Sequence, residues 1–208
     1  MLLSVLGFSQ RVDHLAKVFL FVGLLTPQRA DEIQAQIQAL PGLVGKALTS
    51  FDAIRPIAHD LASARSALFL GRDVLFPLAL EGALKLKELS YIHAEGFASG
   101  EMKHGPIALI EDGLPVVAML AADEVLGKAA SNLREASARG GQIILLTEER
   151  AVAEVDFASN VITVPDVDPL LAPILLAVPA QILAYLTAVE KGTDVDQPRN
   201  LAKSVTVE

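Results

Sequence analysis

Four short apolar runs set the architecture of this chain. They are ALFL at 67–70, PVVAML at 115–120, QIILLT at 142–147 and NVITV at 160–164. Each is too short for a buried helix, and stretches with helical patterning lie between the first three and after the last. Strands that read as unbroken apolar runs are buried on both faces, and strands alternating with helices form parallel sheets covered on both sides. The expected fold is therefore α/β, three layers deep, with a mostly parallel sheet. In such sheets ligands sit beyond the carboxyl ends of the strands.

The helical stretches follow from spacing and breakers. Residues 1–25 read as one apolar helix ended at Thr26-Pro27. Ile33, Ile37 and Leu40 recur at helical spacing over 28–40, and Pro41-Gly42 is expected to break that helix. A second helix is expected over 43–63 with a break or kink at Pro56. Another starts at Pro77, since proline suits the first turn. Helices over 123–139, closed by Gly140-Gly141, and over 168–191 complete the set. The segment 91–106 reads as a loop and 192–208 as a polar tail. The domain division is thus a helical extension over 1–65, an α/β domain over 66–191 and a tail over 192–208.

Composition narrows the function. With no Cys among 208 residues there is no disulfide, thiolate metal site or Cys nucleophile. A net charge of −8 argues against nucleic acid as a partner, because phosphate binding needs a basic footprint. The apolar run at 18–25 is far shorter than the ~20 residues that span a bilayer. The 168–189 region is interrupted by Asp168, Pro173 and Pro179. Both read as buried helices of a cytoplasmic protein without a membrane partner. His93 and His104 are separated by ten residues and have no evident third ligand, so no metal site is expected. No cofactor is implied either.

Titratable groups concentrate in two places. Glu81, Lys85 and Glu88 share one stripe of the helix from Pro77. That spacing fits a solvated ion-paired face, and equally a carboxylate held beside an ammonium for proton transfer. The run YIHAEGFASGEMKHGP (91–106) adds His93, Glu95, Ser99, Glu101, Lys103 and His104. Taken singly, each histidine is as well read as structural, and Lys203 as a solubilising charge.

The segments ALEGALKLKELSYIHAEGFASGEMKHGPIALI (79–110) and KGTDVDQPRNLAKSVTVE (191–208) change that balance. They closely resemble the C-terminal isomerase part of the glutamine–fructose-6-phosphate aminotransferases. The resemblance runs from about residue 67 to 208 and fades before it. That part of the family contains two sugar isomerase (SIS) subdomains, each a five-stranded parallel sheet between helices, and this chain resembles the second. Residues 1–65 are then a remnant of the first lobe, and 192–208 an active-site tail. The family makes glucosamine 6-phosphate from fructose 6-phosphate, with ammonia from glutamine. The resemblance implies a sugar phosphate as ligand and catalytic roles for four residues. Glu88 matches the carboxylate that moves a proton between C1 and C2, with Lys85 beside it. His104 matches a histidine that assists ring opening from the partner subunit, which implies a homodimer. Lys203 matches the Schiff-base lysine, and Arg199 and Ala202 match substrate-binding tail residues.

Departures from the family pattern are informative. Asp73 stands where the family prefers Gly, and Phe76 and Phe97 where Tyr is usual. The glutamine-hydrolysing domain and the Ser/Thr-rich phosphate loop of the first lobe are not in the sequence, so a separate chain carrying them is a candidate partner. Two other readings accompany an isomerase: a SIS-fold binding or regulatory module without turnover, and an inactive fragment.

Overall fold

A computed structural model describes residues 26–200. The expected helix over 1–25, and the site candidates Ala202 and Lys203, lie outside these residues. In chain order the elements are α1 (Pro27–Ala47), α2 (Phe51–Ala62), β1 (Ser66–Gly71), α3 (Phe76–Ser90), β2 (His93–Ala98), β3 (Pro115–Leu120), α4 (Leu126–Ser137), β4 (Gln142–Glu148), β5 (Asn160–Val164) and α5 (Ala172–Glu190). The five strands are all parallel, in the order β2-β1-β3-β4-β5.

Both faces of the central strands β1, β3 and β4 are buried, as their apolar runs require. Ala67, Phe69, Val117, Met119, Ile144 and Leu146 join one core with α1, α2, α3 and α5. Leu68, Leu70, Val116, Ala118, Ile143 and Leu145 join the other with α4. Alternate residues of β1, β3 and β4 feed opposite cores, the period of two that a pleated strand imposes. The apolar run of β5 predicts burial on both faces, but as an edge strand it buries only Ile162 and Val164, with Val161 and Thr163 exposed. Because α3 and α4 lie on opposite faces, the chain reverses direction between β1 and β3, and the crevice above those two strand ends is the topological switch point.

The prolines behave differently from expectation. Helix α1 continues through Pro41 to Ala47, and α2 continues through Pro56. The buried line Ile33, Ile37, Leu40 and Ala47 runs along α1 past the proline, and Leu43 and Val44 pack against the same core. An interior proline costs about 3 kcal/mol, and burying several aliphatic side chains at roughly 1.5–3 kcal/mol each exceeds that. The break falls instead at a single 3-10 turn, Leu48–Ser50. Residues 27–62 therefore share the core of the α/β domain.

The segment 91–106 is not simply a loop. Its first half is β2, an edge strand paired only to β1, and a 3-10 turn follows at Ser99–His104. An edge strand keeps polar side chains in solvent, so it lacks the apolar signature of its neighbours. Gly96 is required there, because a Cβ at that position would come within 2.8 Å of the Leu80 backbone in α3. Helix α5 begins at Ala172, after a turn in which the Leu170 N–H donates to Asp168. It is the one helix among the described residues long and apolar enough to cross a membrane. It packs as the central helix of the larger core, against α2 and α3.

Candidate functional site

Helix α3 starts above the carboxyl end of β1 and runs back antiparallel to it. Its last turns, with Lys85 and Glu88, therefore lie at the amino-terminal edge of the sheet. Leu78, Ala79, Gly82, Ala83 and Leu86 face the core, which turns the Glu81–Lys85–Glu88 stripe outward. Lys85 Nζ donates to Glu88 Oε2 at 2.9 Å and lies 3.7 Å from Glu81 Oε1. The hydrogen bond to Glu88 holds the Lys85 ammonium above its usual pKa; partial desolvation opposes this and the charges of Glu81 and Glu88 reinforce it. Glu88 is about a quarter exposed, at 27%, so its carboxylate is both ion-paired and reachable from solvent.

The tail returns to this same helix end. Tyr91 caps α3 in the left-handed conformation, at φ 62°. Its hydroxyl oxygen accepts the Arg199 backbone N–H at 2.8 Å, and the Arg199 guanidinium carbon lies 4.1 Å from the ring centroid. Thr193 donates its hydroxyl to the Leu89 carbonyl at 2.7 Å, satisfying one of the last carbonyls of α3. Asp194 Oδ1 accepts the N–H groups of Asp196 and Gln197, which turns the tail. Arg199, Lys85 and Glu88 thus gather at one end of α3. Tyr91 and Thr193 are residues that sequence reasoning did not single out.

His104 is elsewhere. It follows β2 in the 3-10 turn, at the carboxyl edge of the sheet, with Nδ1 2.7 Å from Glu101 Oε2 and both side chains mostly exposed. Six residues of β2 separate that edge from the turn at Tyr91, roughly 20 Å at strand rise. One chain does not bring His104 to Glu88. His93, at the start of β2, pairs with Glu95 on the surface.

The switch-point crevice is small, with a cavity volume of about 10 Å³, and is lined by Arg72, Leu75, Ala121, Asp123, Val125 and Leu126 among others. Asp123 spends a carboxylate oxygen on the Val125 N–H. Lys103, another basic residue near this edge, is paired with Glu135 of α4. The two cations do not converge on one anion position. Fully buried Glu148, at the end of β4, accepts the N–H groups of Ala122 and Val167 and a bond from Arg150, tying together the segments that follow β3 and β5.

Residues 60–191 match the model of the SIS domain family. The chain belongs to the SIS domain family. This SIS domain is 50% identical over 196 residues to the glutamine–fructose-6-phosphate aminotransferase (isomerizing) of Zymomonas mobilis, covering 94% of this chain and 32% of the relative. It is 49% identical over 210 residues to the same-named protein of Bradyrhizobium diazoefficiens, covering 99% of this chain and 34% of that one. The chain thus spans about a third of the length of the curated relatives it matches. Among solved structures it superimposes on the C-terminal domain of glucosamine-fructose-6-phosphate aminotransferase from Francisella tularensis with a TM-score of 0.80 and 41% identity, over 83% of this chain and 49% of that one. The SIS architecture also matches a glucosamine-6-phosphate deaminase from Thermotoga maritima, with a TM-score of 0.66 and 24% identity over 96% of this chain and 56% of that one. At that identity the likeness is one of fold.

Proposed function

We propose that this SIS domain binds fructose 6-phosphate or glucosamine 6-phosphate and carries proton-transfer groups for ketose–aldose isomerisation, as the isomerase part of a glucosamine-6-phosphate-forming enzyme. The observation that carries the reading is the Glu88–Lys85 pair, 2.9 Å apart, on an outward stripe whose helix end also fastens the tail. Glu88 is the base: as a carboxylate it takes a proton from C1 of the open-chain sugar and returns it to C2. Lys85 holds that carboxylate in place. Lys203 condenses through its amine with the C2 ketone, losing water, to form the imine. It lies four positions beyond Arg199, a reach of at most about 14 Å, which spans the short distance from Tyr91 to Glu88. Arg199 and Ala202 flank the bound sugar.

His104, about a sheet's length from Glu88, serves the site of a second copy. This requires a homodimer and gives each site residues from both chains.

A second reading, a sugar-phosphate-binding module without turnover, is favoured by the separation of His104 from Glu88 across the length of β2 within one chain. Thermal-shift titration with both sugar phosphates, followed by an isomerisation assay with ammonium, separates the readings. Ligand-dependent stabilisation with turnover supports the enzyme, and stabilisation alone supports the module. No stabilisation by either sugar overturns both.

A further inference from the structure

We propose that Tyr91 is a positioning residue, a clamp that fastens the tail to the end of the helix bearing Glu88 and Lys85. The inference rests on the reading of the tail as part of the sugar site, and extends it to a residue outside the reacting groups.

Three features converge on this side chain. Its backbone sits at φ 62°, a region costly for a bulky L-residue and normally left to Gly or Asn at a helix end. A tyrosine there is retained by what its side chain holds. Its hydroxyl oxygen accepts the Arg199 N–H at 2.8 Å, and its ring face carries the Arg199 guanidinium at 4.1 Å. These are two independent contacts with one tail residue 108 positions away. The left-handed turn is what sends the ring out past the end of α3, where the tail crosses, instead of along the helix face. Thr193, bonded to the Leu89 carbonyl, fixes the tail at its other end. Between the two anchors the segment 194–198 is turned on Asp194. The clamp therefore sets where residue 200 leaves the fold, at the end of the helix that bears Glu88.

The test compares Tyr91→Phe, Tyr91→Asn and Arg199→Ala in the full chain by hydrogen–deuterium exchange. Phe keeps the ring and loses the acceptor, so exchange at the Arg199 amide should rise about tenfold, the worth of one hydrogen bond. Asn suits the left-handed cap and removes both contacts, so exchange should rise across 193–200 while the amides of α3 stay protected. Arg199→Ala keeps the N–H and removes the stack. The chain holds two tyrosines and no Trp, so in a Tyr185→Phe background near-ultraviolet circular dichroism reads Tyr91 alone. Arg199→Ala should change that signal, which a cap of purely structural role would not show. Tail exchange equal in all four proteins overturns the clamp.

Borohydride trapping with fructose 6-phosphate separates this inference from the sugar reading. If the wild type gives no Lys203 adduct while tail exchange still depends on Tyr91, the sugar reading fails and the clamp stands. If tail exchange ignores Tyr91, the clamp fails whether or not an adduct forms.

Discussion

Lys85 Nζ lies 2.9 Å from Glu88 Oε2, one turn earlier on the same helix, and the two side chains share an outward stripe whose opposite face is core. The pair is accessible, so its contribution to folding is small, of the order of tenths of a kcal/mol. Its contribution to a reaction is not limited in that way. The Glu88→Gln variant should melt within a degree or two of wild type and lose isomerisation altogether. Measuring both on one preparation checks the assignment, and full activity in Glu88→Gln would end it. The raised Lys85 pKa has a defined sign. A cation whose folded pKa exceeds its unfolded value near 10.5 stabilises fully below that value, and the stabilisation disappears as pH rises through the folded pKa. Urea unfolding of wild type and Lys85→Met should differ slightly at pH 9, by an amount that shrinks as pH rises above 10.5.

Asp73 occupies the left-handed region at φ 52°, a conformation that favours Gly. Aspartate tolerates that conformation better than most residues and alanine does not. Asp73→Ala should therefore cost about 1 kcal/mol, whereas Asp73→Gly should be neutral to within about 0.5 kcal/mol, the relief of strain offsetting the added freedom of the unfolded chain. Thermal or chemical denaturation of the two variants reads the difference directly. Equal losses in both would show that the aspartate side chain, and not the backbone, matters here.

His59 Nδ1 lies 3.1 Å from Glu190 Oε2, linking α2 to the end of α5. The hydrogen bond to Glu190, and then its charge, raise the His59 pKa above 6.5. The stabilisation is complete below pH 6.5 and disappears as pH rises through the raised value. The melting temperature of wild type minus that of His59→Gln should accordingly be larger at pH 5.5 than at pH 8.5. A difference that grows with pH would refute the pairing.

What could be read ahead of the structure follows where each residue's partners lie. β1, β3 and β4 are buried on both faces, so their apolar runs carry them; β5 is legible from its β-branched run although Val161 and Thr163 face solvent. β2, with one neighbour and a solvent face, carries no such run, although it is the strand that sets the distance between Glu88 and His104. Pro41 and Pro56 suggested breaks because local rules do not see the buried aliphatic line running past them. Lys85 and Glu88 are legible because their contact spans three residues. The contact of Tyr91 with Arg199 spans 108 residues and leaves no period to detect. Glu148 is hidden in the same way: it closes an apolar strand, and its acceptors' partners, Ala122 and Val167, come from other loops.

The distance between His104 and Glu88 leads to the sharpest prediction, because the two sit at opposite edges of one sheet. If each site draws its histidine from a second copy, Glu88→Gln and His104→Asn should each be inactive alone, since every site of either homodimer lacks one group. Mixed after mild dissociation and reassociation, they should form hybrids in which one site combines two mutant residues and the other none. Random pairing makes half the dimers hybrid, with half their sites intact, so activity should recover to about a quarter of wild type. The assay is turnover of fructose 6-phosphate with ammonium, with any separate lobe that the phosphate requires supplied in excess to every sample. Sedimentation should show a dimer for both variants and for the mixture. Dimers that exchange subunits, checked by a mass tag on one variant, yet regain no activity would place His104 outside the site and remove the need for a shared one.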